Sequence, residues 1–158
     1  GAAWKLLSGS CSGQTQSDDP QAGDVSYWCH PLDVHWATKG LQGWPRLQLE
    51  VWGRDSLGRA RPLGYGLCHV PSAAGSHALT CVTWAPRPGT WRQRLEGRVL
   101  GVGGAWAGEA PFRLARPADV IGDVTGAQRF RFRTEAAGDV HVELGVVLRH
   151  FGRYGVQA

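Results

Sequence analysis

Two cysteine–histidine neighbours, Cys29-His30 and Cys68-His69, are the residues of this 158-residue chain whose types suggest nucleophilic chemistry. A catalytic thiol and its base meet in space, whereas neighbours on a strand point to opposite faces, so adjacency works against such a pair. The six histidines are scattered, and the chain holds no Gly-x-Ser-x-Gly elbow, P-loop or GxGxxG fingerprint. The reading is a non-enzyme without catalytic residues. Calcium requires several converging carboxylates. The turn after Val51-Trp52 offers only Asp55, with Arg54 and Arg59 adding positive charge beside it, and Asp18, Asp19 and Asp33 bear no fixed relation to it. No metal site and no cofactor are expected.

The four cysteines, Cys11, Cys29, Cys68 and Cys81, contain no C-x-x-C pair. Cys68 and Cys81 fall in strand-like stretches, where cysteine acts as a small apolar residue. They read as reduced thiols of an intracellular protein; two disulfides in a secreted chain are the alternative.

Eight tryptophans, at positions 4, 28, 36, 44, 52, 84, 91 and 106, exceed ordinary core duty in a domain of this size. Trp36 and Trp91 lie on apolar faces and read as core. Trp52 lies opposite Leu49 and Val51 and is a candidate contact residue, together with Tyr65 and His69. Exposed tryptophan favours protein interfaces, sugar platforms or membrane surfaces. Arg129, Arg131 and Arg133 alternate with Phe130 and Phe132, placing three cations on one strand face. Such a face is solvated by default. Its functional reading is a basic ladder for phospholipid headgroups or an acidic partner, although Asp139 or Glu143 on the next strand could neutralise it.

These side chains must be positioned by strands, because period-two alternation recurs along the chain. Leu32, Val34 and Trp36 form one set, and Leu47, Leu49 and Val51 form another. Tyr65, Leu67 and His69 oppose Gly66, Cys68 and Val70, while His77, Leu79 and Cys81 oppose Ala78, Thr80 and Val82. The longest run sets Val140, Val142, Leu144, Val146 and Leu148 on one face. Trp4–Leu7 and Val25–Cys29 are shorter candidates, and Gly53 to Gly58 supplies a turn. One segment departs from this pattern. Thr90 and Gln93 form a capping box ahead of Trp91, Leu95 and Val99, which predicts a short helix near residues 90–100. Residues 101–126, rich in Gly, Ala and Pro, read as a long irregular connection. Many short strands separated by Gly, Pro and Asp turns predict an antiparallel β-sandwich.

Composition bounds the remaining classes. Hydrophobic residues at 42% and charged residues at 19% describe a globular chain. The net charge of +4, carried by fifteen arginines and only two lysines, is too small to indicate nucleic-acid binding. No apolar run reaches the roughly 20 residues of a membrane span. No signal peptide is evident, but the chain opens Gly1-Ala2-Ala3-Trp4 and contains no methionine, so a fragment or processed product is expected.

A longer set of stretches resembles the B9 domain family of the ciliary transition zone. It comprises Gly1 to Gly9, Gly13-Gln14-Thr15-Gln16, Tyr27-Trp28-Cys29-His30-Pro31, Trp44-Pro45-Arg46-Leu47, Gly64-Tyr65-Gly66 with His69-Val70-Pro71, Thr90-Trp91-Arg92, and Leu148 to Val156. The resemblance implies one C2-like β-sandwich domain over residues 1–158, truncated at its N-terminus and lacking the family's first strand. Residues 101–126 diverge and are longer than the family pattern. It also implies a non-enzymatic scaffold at the cilium base, in cytoplasm and cytoskeleton, that binds two homologous B9-domain proteins within the Meckel-syndrome/tectonic complex. There the complex contributes to cilium assembly and to the barrier that gates ciliary membrane proteins. Two rival readings stand beside it: a calcium-independent peripheral membrane module for anionic phospholipid, and a secreted carbohydrate-binding sandwich.

Overall fold

The computed structural model describes residues 3–21, 23–54, 57–86 and 134–155. The chain divides into two compact units, Gly1–Trp44 and Pro45–Ala158. The fold class is all-β: among the described residues there are two antiparallel sheets and a single 3-10 turn, Phe151–Tyr154. This agrees with the class expected of an antiparallel sandwich. The helix expected near residues 90–100 and the connection over residues 101–126 lie outside the described residues.

The first unit is built on strands β1 (Trp4–Gly9) and β2 (Val34–Thr38), paired antiparallel from Trp4 opposite Thr38 to Gly9 opposite Val34. The register slips between Leu6 and Ser8, so Leu7 forms a bulge. Gly9 closes the pair with φ of 86°, and a Cβ there would collide with the carbonyl oxygen of Asp33. Only glycine meets both demands. At the other end Trp4 fastens the following loop. Its indole N–H donates to the Gln42 carbonyl at 2.9 Å, and its ring meets Trp44 edge-on at 5.2 Å.

Between the two strands the chain is irregular, and the strand expected at Val25–Cys29 does not form. Remote side chains occupy the backbone groups a ladder would use. The Tyr27 N–H donates to Asp18 Oδ2 at 2.7 Å, and Gln16 Nε2 donates to the Trp28 carbonyl at 2.9 Å. Cys29 then takes φ of 44°, which ends any extended run. Leu32 is likewise exposed and precedes the strand it was expected to open.

The second unit is a four-stranded antiparallel sheet in the order β3 (Arg46–Arg54), β4 (Ala60–His69), β5 (Gly75–Pro86), β6 (Thr134–Val146). Alternation over these strands follows the sequence. Leu47, Leu49 and Val51 share one face with Cys68, Leu79, Cys81, Val140, Val142 and Leu144. The opposite face carries Gln48, Glu50, Trp52, Leu67, His69, Asp139, His141 and Glu143. The sheet is tightest at the β4–β5 contact. A Cβ on Gly66 would lie 2.8 Å from Cys81 Sγ, so this glycine sets how closely the thiol approaches β4. Thr83, buried beside it, donates from Oγ1 to the Gly138 carbonyl at 2.7 Å, anchoring β6 at its bulge, where Gly138 adopts φ of 104°.

Candidate interaction surface

Two ladders position the residues singled out from sequence. In the β3–β4 hairpin Arg46 pairs with His69, Glu50 with Tyr65 and Trp52 with Pro62. Trp52 is 55% exposed, because β3 turns Leu47, Leu49 and Val51 inward and leaves the alternate positions in solvent. His69 is exposed as well. The two do not meet: six residues of β3 separate their register positions, about 20 Å along an extended strand.

Tyr65 differs from its sequence-based reading. It is only 6% exposed, with its ring 5.5 Å from that of Trp84 on β5. Burial, and then the nearby Glu50 carboxylate, raise its phenol pKa. Alternation placed Tyr65 on the polar face correctly, but an indole from the adjoining strand covers it there. The residue is therefore core and is removed from the candidate contact set. Arg129, Arg131 and Arg133 lie outside the described residues.

The thiols divide the same way. Cys11 and Cys29 are exposed, Cys68 is half-buried and Cys81 is 1% exposed, and none is in a disulfide. Cys68 donates a hydrogen bond to Cys81. Burial, then the neighbouring Cys81, push Cys68 up to about 11, and burial raises Cys81 too. Both stay protonated at neutral pH, the state of packing groups rather than nucleophiles. Among the described residues no three His, Cys, Asp or Glu side chains cluster to hold a metal ion, and no helix is long and apolar enough to cross a membrane.

One feature escaped the sequence reading. Beyond the last β4–β5 ladder pair, Tyr65 with Trp84, the β3–β4 hairpin continues on its own pairing to Arg54 opposite Ala60. At this end Leu57 is 74% exposed and Leu63 41% exposed, beside Trp52 and the exposed Arg54, Arg59 and Arg61. The available signal was Leu57 itself, an apolar residue set in an otherwise polar, glycine-bounded turn.

Comparison with known proteins supplies context. The family model described as ciliary basal body-associated, B9 protein matches residues 1–147. B9 domain-containing protein 2 of Rattus norvegicus is 55% identical over 157 residues, covering 99% of this chain and 83% of the relative. The Homo sapiens protein of the same name is 52% identical over 159 residues, again covering 99% of this chain and 83% of the relative. B9 domain-containing protein 1 of Mus musculus is 32% identical over 74 residues, 47% of this chain and 36% of its own length. No solved structure matches the chain.

Proposed function

The chain belongs to the B9 family of ciliary basal body-associated proteins, and from that premise we propose that it is a non-enzymatic scaffold subunit of the ciliary transition zone. It acts as one C2-like B9-type domain over residues 1–158. It binds two sister B9-domain proteins within a Meckel-syndrome/tectonic-type complex at the cilium base. Its part there is to hold together the barrier through which ciliary membrane proteins are admitted.

The observation that carries this reading is Trp52: a large aromatic side chain, mostly exposed, on a strand whose alternate residues are packed. Rigid aromatic residues on an ordered scaffold lose little entropy on association and dominate many interfaces. The similarity to B9 domain-containing protein 1 supports a sister protein with related strands to meet it. His69, and the Arg129, Arg131 and Arg133 series facing an acidic partner surface, complete the proposed contact set.

The test is size-exclusion chromatography with light scattering on the full chain mixed with two sister B9-domain proteins. A co-eluting heteromer is expected. Trp52→Ala should weaken it roughly thirty-fold, as for a contact of about 2 kcal/mol, with the thermal midpoint of the isolated chain nearly unchanged. Separate elution of three folded proteins would remove the scaffold reading.

A further inference from the structure

We propose that the free end of the β3–β4 hairpin is a membrane-contact element that seats in an anionic lipid surface. This goes beyond the scaffold reading and does not depend on it. Trp52, Leu57 and Leu63 supply the apolar part, each exposed at the end of a two-stranded ribbon. Arg54, Arg59 and Arg61 supply the charge, and over residues 52–63 three arginines face a single acidic residue, Asp55.

The arrangement fits a bilayer interface better than a protein surface. Interfacial elements bury apolar groups about 5–10 Å deep, a depth that two or three residues of strand span at about 3.3 Å each. Leu57, in the turn, enters first. Trp52, further back on β3, reaches headgroup level, where indole rings partition favourably because one edge is apolar and the other can hydrogen-bond. The arginines extend their alkyl stems along the apolar residues and place guanidinium groups against lipid phosphates and carboxylates. A protein partner, by contrast, requires about 800 Å² of complementary surface on each side, far more than three side chains at a narrow hairpin end present. Asp55, as the sole carboxylate of the hairpin sequence, falls short of a calcium ligand set. The contact is therefore calcium-independent, and its ligand is the anionic leaflet itself.

The experiment is co-sedimentation of the full chain with two kinds of vesicle, one of phosphatidylcholine alone and one containing about 30% phosphatidylserine, an anionic surface of the kind that attracts basic segments. Binding to the anionic vesicles only is expected, unaffected by chelator. It should fall more than ten-fold when salt rises from about 0.1 M to about 0.5 M. The combined change Arg54→Gln, Arg59→Gln, Arg61→Gln should lower partitioning roughly 100-fold, about five-fold per arginine. Leu57→Ser should lower it roughly ten-fold through lost apolar burial. Leu57→Ser lies in an exposed turn, so it keeps the test decisive should the triple variant fold poorly. Failure of the wild-type chain to bind, equal binding to both vesicle types, or wild-type binding by a folded variant would each overturn the proposal. So would a triple variant that loses the sister proteins while keeping its vesicle binding. Loss of vesicle binding with the heteromer intact supports the membrane contact and leaves the scaffold reading standing.

Discussion

Trp4 and Trp52 both sit near a strand end, yet the chain uses them in opposite ways. Trp4 spends its indole N–H on the Gln42 carbonyl and its ring on Trp44, so both its polar and apolar parts are engaged within its own unit. Trp52 occupies the outward register of β3 and keeps more than half of its surface in solvent. Tryptophan content alone therefore says little about function. What separates a fastening residue from a contact residue is whether the loop beyond the strand folds back over the ring. At β1–β2 it does, at residues 42–44. At β3–β4 the turn runs onward instead.

Substitutions can break this contrast or sharpen it. The largest effect is expected at the far end of the strand pair that Trp4 opens. Gly9→Ala should cost about 3 kcal/mol, because it combines a backbone collision with a left-handed φ. Thermal or urea unfolding of the variant measures the loss, and a midpoint like the wild type would show that β1 can shift away from Asp33. Next comes the tryptophan pair itself. Trp4→Ala should destabilise the chain by about 2 kcal/mol, since the ring is half-buried and loses its hydrogen bond. Trp52→Ala should stay within about 0.5 kcal/mol. Equal losses at the two sites would erase the distinction. The smallest effect concerns the thiols. The folded pKa of Cys68 is raised to about 11 from an ordinary value of 9.0. The stability this confers is complete below pH 9 and is lost as pH rises towards 11, because the unfolded chain releases its proton first. A thermal midpoint that falls over that window, and falls less in Cys68→Ala, is the expected result.

How much of this was legible in the sequence depends on how local the deciding interactions are. The β3, β4, β5 and β6 strands followed directly from alternation, since a sheet with one apolar face writes its register into residues such as Leu47, Leu49, Val51 and Val140 to Val146. Val25–Cys29 had strand-like composition but was lost to Asp18 and Gln16, side chains too far along the chain for a pattern of neighbours to reveal. Tyr65 was placed on the correct face and still misread, because its cover comes from Trp84 across a ladder contact. The exposed Trp52 was legible from alternation alone. Leu57 was not, because the sequence marked its surroundings only as a turn, and exposure at a hairpin end depends on where the neighbouring strand stops pairing.

The β5–β6 ladder has a consequence for how this fold tolerates change. Pro86, the last residue of β5, pairs directly with Thr134, the first of β6. The intervening stretch therefore leaves the sheet and rejoins it at one point, with both ends held by twelve paired positions. Closing such a loop costs only about 0.6 kcal/mol more for each doubling of its length. Insertions there leave the strand register untouched. Lineages of this family are thus free to lengthen or rewrite that stretch at little thermodynamic expense, and a reporter or affinity tag can be spliced into it while the sheet folds as before.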